Sequence, residues 1–216
     1  EPTLKVIEVT PYREEGEYTN GRHPDEVRFG VTLNKDLTRR DFTINALAYR
    51  PKTGELVDDH GGKEDIARKL IRAVGDPEKR FKEDALRMMR AVRLSAQLGF
   101  AIEQKTAEAI VASAPLMAKI SKERIRDELV KIVNTKEPML AIATMSRLKI
   151  LEHTIPDLER GIGVAQNQAH SFDVFEHLLR TMQHAADKNW DTSIRIAGLF
   201  HDVSKPETRR WSDEKR

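Results

Sequence analysis

The apolar positions change period once along the chain. Up to about residue 60 they alternate. Leu4, Val6 and Ile7 in LKVIEV mark a half-buried strand, and FTINALAY, residues 42–49, reads as a second strand or a short helix. Between them REEGEYTNGRHPDEVR, residues 13–28, is a charged loop with Asn20-Gly21 and Pro24, and PKTGELVDDHGG then supplies a hairpin-like turn and a Gly61-Gly62 hinge. From Lys63 onward the spacing becomes helical. It predicts helices at about 63–70, 77–98, 103–113, 121–134, 136–149, 171–188 and 192–203, with Pro77 in a first turn and Ser121 as start signals. A break at residues 153–168, holding Pro156, Gly161 and Gly163, sets off a last helical module. Strands first and helices after argue for an α+β fold, with an α/β head joined to an α-helical body.

Composition narrows this picture without deciding the function. A chain of 216 residues with 39% hydrophobic content can bury real cores in one large domain or two to three small ones. Its 37 basic and 35 acidic residues leave a net charge of +2, so affinity for nucleic acid has to come from local clustering. The absence of cysteine excludes a disulfide scaffold and thiolate metal sites, and fits a cytoplasmic setting. No apolar run approaches the roughly 18 residues of a membrane helix, so no membrane partner is expected. The opening EPTLKVIEVTPYR enters directly into a strand pattern without a methionine, which is the expectation for a piece of a longer chain.

Three stretches carry candidate chemistry. In RRDFTINALAY, residues 39–49, Arg40 and Asp41 are either a solvated charged turn or are aimed at a polyanionic ligand with a hydroxylated sugar, anchored by Phe42, Ile44, Leu47 and Ala48. On a helix, DPEKRFKEDALRMMRAVRLSAQLGF puts Ala85, Met89, Val92 and Ala96 on a core face and Arg80, Asp84, Arg87 and Ala91 opposite. Asp84 and Arg87 then form either an i, i+3 surface pair or a recognition edge. An aspartate only accepts and an arginine only donates, so together they complement an amino donor beside a ring-nitrogen acceptor, an arrangement found in cytosine and adenine but not in guanine or uracil. Near the end, Phe172, Phe175, Leu179, Met182 and Ala186 line a core face, leaving Asp173, His177, Arg180 and His184 on another. A second apolar helix delivers the adjacent His201 and Asp202, suitable nitrogen and oxygen ligands for a divalent metal. His153, His170 and His184 read as ordinary polar residues.

RRDFTINALAY, the VDDHGGKEDI turn, the DPEKRFKEDALRMMRAVRLSAQLGF helix and ISKERIRDEL, in that order, resemble the class II tRNA nucleotidyltransferases, that is, the CCA-adding enzymes and the bacterial poly(A) polymerases. The resemblance covers roughly residues 1–150. It implies a polymerase-β-like nucleotidyltransferase head, here partial, followed by an all-α neck and body. It implies that Arg40 and Asp41 contact the incoming nucleotide, Asp41 at the ribose, with Asn45 nearby. It places Asp84 and Arg87 on the base edge, with Arg90 beside them, and makes Glu123, Arg124 and Glu128 structural. The family's DxD carboxylate pair, which holds Mg²⁺, is not in this sequence; Glu8 matches a third, less central carboxylate and is the catalytic and metal candidate. A flexible loop that influences nucleotide choice occurs in the family where residues 13–28 stand, though an ordinary hairpin connection fits them equally. The last module resembles a partial HD phosphohydrolase domain, which implies His177, His201 and Asp202 as ligands of a divalent metal and Lys205 facing phosphate, with a final aspartate that cannot be assigned.

These readings divide the chain into a partial head at 1–60, a neck and body that bind nucleotide and RNA at 61–152, and a partial HD-type module at 153–216. The leading expectation is template-independent addition of C and A from CTP and ATP to the 3′ end of tRNA, by a chain that is inactive alone. Its alternatives are a poly(A) polymerase or an A- or C-adding specialist, a metal-dependent HD phosphohydrolase with an RNA-binding front half, and a nonenzymatic RNA-binding module. Arg87, Arg90 and Arg93, then Lys119, Lys122, Arg124 and Arg126, are expected to lay positive charge along the neck, with Arg93, Lys122 and Arg126 as RNA contacts.

Overall fold

The computed structural model describes residues 9–16, 26–165 and 172–208. Residues 4–8 of LKVIEV, with Glu8, the middle of the charged loop and His170 lie outside the described residues. Strand β1 (Arg13–Glu15) pairs antiparallel with β2 (Val27–Phe29), Glu14 opposite Arg28. Both ends of the predicted charged loop are therefore strands of one ladder. Helix α1 (Leu33–Thr38) follows, and FTINALAY divides into a 3-10 turn (Thr43–Asn45) and strand β3 (Ala48–Arg50), so it supplies both of the elements its sequence allowed. β3 and β4 (Glu55–Val57) form an antiparallel hairpin whose turn is closed by Gly54 at φ 71°.

Helix α2 (Gly62–Arg68) begins at the Gly-Gly pair, where Asp58 accepts from the backbone N–H groups of Gly62 and Lys63 at 2.7 and 2.9 Å. Gly61 sits at φ 74°, and a Cβ on Gly62 would collide with the Thr43 carbonyl and approach Leu47 Cγ to 3.1 Å. Both glycines are therefore required by backbone shape and close packing. Gly62→Ala is expected to cost about 1–3 kcal/mol, by overpacking at the head–neck junction, and to lower the thermal midpoint measured by circular dichroism.

Strand β5 (Leu70–Ile71) leads into the helices α3 (Pro77–Glu83) and α4 (Leu86–Leu98), and runs parallel to β6 (Ala101–Ile102). Then come α5 (Gln104–Ser113), a 3-10 segment (Ala114–Lys119), α6 (Lys122–Val133), α7 (Pro138–Arg147), α8 (Leu151–Thr154), α9 (Pro156–Glu159), α10 (Val174–Asp187), α11 (Thr192–Phe200) and α12 (Lys205–Thr208).

Three expectations are corrected by this architecture. The single helix at 77–98 is broken at Asp84, which is extended (φ −149°, ψ 103°) between α3 and α4. Ala91 is not on an outer face: α4 packs against both α6 and α7, and Met88, Met89, Ala91 and Val92 are all buried. The third concerns α10, whose buried face is Val174, Leu178, Leu179, Met182, Ala185 and Ala186. Phe172 lies outside that core under the Arg180 guanidinium, 4.0 Å from ring centroid to Cζ. Asp173 caps α10 by accepting from the Glu176 N–H at 2.7 Å.

A small core of Leu37, Ala46 and Val74 holds the head region, and one larger core runs from Phe42 and Phe81 through Met88, Ile142 and Met145 to Leu178, Met182 and Leu199. The helices after residue 153 share this larger core. Among the described residues no helix is long and apolar enough to cross a membrane.

Candidate nucleotide and metal sites

The backbone of residues 41–43 is laid against residues 72–74, with Val74 N–H donating to the Asp41 carbonyl and Thr43 N–H to the Arg72 carbonyl, at 3.1 and 2.9 Å. This fixes Asp41 beside α4. Arg90 of α4 grips Asp41 Oδ2 with Nε and Nη2, at 2.8 and 2.5 Å, while the Phe42 N–H and Asn45 Nδ2 donate to Oδ1. Burial opposes ionisation of this carboxyl, and the guanidinium of Arg90, with Asn45 and the Phe42 N–H, outweighs it and holds Asp41 below the ordinary carboxylate range. Burial likewise opposes the charge on Arg90, and Asp41 outweighs it and raises the arginine.

A carboxyl depressed in the folded state contributes stability that is fully present above its unfolded value near 4 and is lost as pH falls through the folded value. Thermal midpoints should therefore decline below about pH 4, and Asp41→Asn should flatten that decline.

Asp36, buried on α1, gathers the arginines ahead of Asp41. Its Oδ1 accepts from Arg39 Nη2 at 2.6 Å, and its Oδ2 from Arg40 Nη2 at 3.2 Å. Burial would raise its pKa, and Arg39, the Arg13 N–H and Arg40 outweigh that and lower it. Arg40 also donates to the Asn45 carbonyl at 3.1 Å yet stays exposed, with its guanidinium at the surface. The neck meets this loop again through Arg87, whose Nη2 donates to the Arg39 carbonyl at 3.1 Å and whose Nη1 donates to Glu83 Oε2 at 2.9 Å and the Arg80 carbonyl at 3.3 Å. Arg80 donates to the Thr38 carbonyl.

Asp84 and Arg87 do not bond to each other through their side chains. Asp84 Oδ1 accepts from the Leu86 N–H, and its Oδ2 from Arg124 Nη2 at 2.7 Å. Arg40, Asp41, Asn45, Arg87 and Arg90 thus surround one junction between head loop and neck, and Asp84 adds to the charge felt by Arg90.

The expected basic stripe is divided: Arg87, Arg90, Arg93 and Arg124 pair with carboxylates within the fold, while Lys119 is exposed. Arg93 turns inward onto Glu128 Oε1 at 2.5 Å, and Glu128 is only 2% exposed. Lys122 and Arg126 are exposed, and Arg126 shares its charge with Asp127 at 2.7 Å. Sequence reasoning treats Arg93 as a surface contact because its partner lies 35 residues away; the carboxylates in ISKERIRDEL are the available signal.

α10 and α11 bring His177, His201 and Asp202 together. The ligand atoms lie within 4.8 Å of one another: His177 Nε2 is 3.1 Å from His201 Nε2 and 3.5 Å from Asp202 Oδ2, and His201 Nε2 is 3.1 Å from the same oxygen. His201 Nδ1 lies 2.9 Å from the Gly198 carbonyl, which can only accept, so Nδ1 carries the proton and Nε2 the lone pair in the neutral ring. Lys205 sits on Asp202 at 2.6 Å. Burial opposes ionisation of Asp202, and Lys205, His201 and His177 outweigh it and lower its pKa. His184 packs edge-on against Trp190 and His153 meets Glu152, in keeping with polar structural roles.

Residues 2–72 match the family model described as Poly A polymerase head domain, and residues 99–162 match one described as "Probable RNA and SrmB- binding site of polymerase A". The chain is 41% identical over 207 residues to a CCA-adding enzyme of Bacillus velezensis, covering 96% of this chain and 50% of that protein. It is 57% identical over 126 residues to a CCA-adding enzyme of Leuconostoc mesenteroides, covering 58% of this chain and 31% of that protein. Among solved structures it resembles the crystal structure of the Bacillus stearothermophilus CCA-adding enzyme in complex with CTP, with a TM-score of 0.62, 30% identity and coverage of 95% of this chain and 53% of that one. The chain spans half or less of the length of these two curated relatives.

Proposed function

Because the chain belongs to the nucleotidyltransferase family that contains the CCA-adding enzymes and bacterial poly(A) polymerases, we propose that it serves template-independent addition of C and A from CTP and ATP to the 3′ end of tRNA. The observation that supports this best is the junction at which Arg40, Asp41, Asn45, Arg87 and Arg90 converge with Asp84 close by. Arg40, exposed and forked, takes the phosphates. Asp41, kept ionised by Arg90, accepts two donors on each oxygen, and a ribose hydroxyl would replace the longest of them, Asn45 Nδ2 at 3.2 Å. Asp84 offers acceptors to an exocyclic amino group. Arg87 uses three of its five N–H donors on Arg80, Glu83 and Arg39, leaving Nε–H and one Nη2–H for a ring nitrogen. We assign residues 1–60 to the head, 61–152 to neck and body, and 153–216 to an HD-type module, in a cytoplasmic protein whose RNA contacts include Lys122 and Arg126.

The Mg²⁺ that nucleotidyl transfer implies does not fit this junction. Among the described residues its carboxylates are each held by an arginine, Asp41 by Arg90 and Asp84 by Arg124, and no group of three or more ligating side chains gathers there. The roles of these residues are therefore binding and selection. The test is incubation of the full-length protein with tRNA ending before CCA and each nucleotide in turn. Incorporation of CTP and ATP with rejection of UTP and GTP is expected; addition of ATP alone points to the poly(A) or A-adding alternative, and none at all overturns the reading.

The triad of His177, His201 and Asp202 favours a second reading, a metal-dependent phosphohydrolase activity. A divalent ion held by the two Nε2 atoms and Asp202 Oδ2 would act as a Lewis acid on a phosphate ester. Lys205 is positioned to keep Asp202 ionised. Manganese or nickel should bind the wild-type protein measurably in calorimetric titration and not His201→Ala; equal binding by both removes this reading.

A further inference from the structure

Arg124 reaches from α6 to a carboxylate 40 residues earlier, and its Nη2 donates to Asp84 Oδ2 at 2.7 Å. Asp84 needs such a hold. It sits in extended backbone between α3 and α4, outside either helix, and its Oδ1 is tethered to the Leu86 N–H at 3.1 Å. With one oxygen tied to its own chain, the orientation of the other depends on Arg124. Glu83 and the Arg39 carbonyl restrain Arg87, so Arg124 is the guanidinium that touches Asp84.

Arg124 has a second feature. Its Nη1 is, among the described residues, the buried side-chain nitrogen or oxygen with no hydrogen-bond partner. A buried donor without an acceptor is costly, and a side chain retained for packing alone has no reason to keep one. We propose that Arg124 is the positioning residue for base selection: by clamping Oδ2 it fixes the direction in which the remaining lone pairs of Asp84 face the amino group of cytosine or adenine. This rests on the proposed function of Asp84 as a contact to the base.

The test uses the full-length protein on tRNA ending before CCA, with kcat/KM measured for all four nucleotides. Arg124→Ala should lower the preference for CTP and ATP over UTP and GTP by about tenfold, the scale of one charge-assisted hydrogen bond. Arg124→Lys, which keeps one donor and the charge, should restore part of it. Combining Arg124→Ala with Asp84→Ala should lower the preference no further than Asp84→Ala alone, because both act through the same carboxylate. A purely structural Arg124 would instead depress all four nucleotides equally and leave the preference intact. That result, with preference lost in Asp84→Ala, overturns the role of Arg124 alone; preference retained in Asp84→Ala overturns the reading of Asp84 as well. If Arg124→Ala does not fold, Arg124→Lys and Arg124→Gln carry the same comparison.

Discussion

Arg93→Ala is expected to destabilise the protein by about 3–5 kcal/mol, the scale for removing one partner of a buried ion pair. Glu128 on α6 is 2% exposed, and Arg93 on α4 donates to it through Nε at 2.5 Å. Lys131 is the other cation on that carboxylate, at 3.3 Å and itself half exposed. Without Arg93 the carboxylate stays buried between two helices with one weak partner. Chemical denaturation at pH 7 checks this. Combining Arg93→Leu with Glu128→Leu should recover much of the loss, because the penalty comes from the stranded charge more than from the missing bond.

Arg90→Met should have an effect of similar size for a related reason. Asp41 is 8% exposed and would keep only the neutral donors Asn45 Nδ2 and the Phe42 N–H. A loss of about 3 kcal/mol is expected at pH 7, shrinking as pH falls, since without Arg90 burial raises the pKa of Asp41 and its protonation then relieves the stranded charge. Denaturation from acid to neutral pH reads both effects. The same variant should weaken CTP binding, because without Arg90 burial shifts the carboxyl toward its protonated form, a poorer acceptor for ribose hydroxyls.

The local sequence carries the helices well where caps and a single apolar face coincide. α5, α6 and α10 lie where their periodicity puts them, and Asp76 with Pro77 starts α3 as the residue types predict, the Asp76 carboxylate accepting from Glu78 and Lys79 N–H groups. The break at Asp84 is not legible in the same way. KEDALRM contains neither glycine nor proline, and the interruption is tied to a carboxylate bound on one side to Leu86 and on the other to Arg124, a partner only the tertiary fold supplies. Ala91 misleads for a related reason: its placement opposite the core follows from one continuous helix through Asp84, and the break there resets the faces of α4, whose polar side is Arg90, Arg93 and Gln97.

The candidate site is legible as a set of residues rather than as a network. Arg40, Asp41, Asn45, Arg87 and Arg90 can be named from their motifs, and they do come together. Their pairings span up to 49 residues, as between Arg90 and Asp41, and follow from how residues 72–74 dock the head loop against α4. The same holds at the other end, where His177 and the His201-Asp202 dyad are visible in the sequence and the Gly198 carbonyl that orients His201 is not.

The central claim is that Asp84, with Arg87, reads the base in place of a template. A crystal structure of the full-length protein with CTP tests it most directly. The cytosine amino group is predicted within about 3 Å of an Asp84 carboxylate oxygen, with an Arg87 donor on the ring nitrogen. A well-ordered CTP whose base touches neither residue, while Asp84 remains on Arg124 and Arg87 on Glu83, would contradict it.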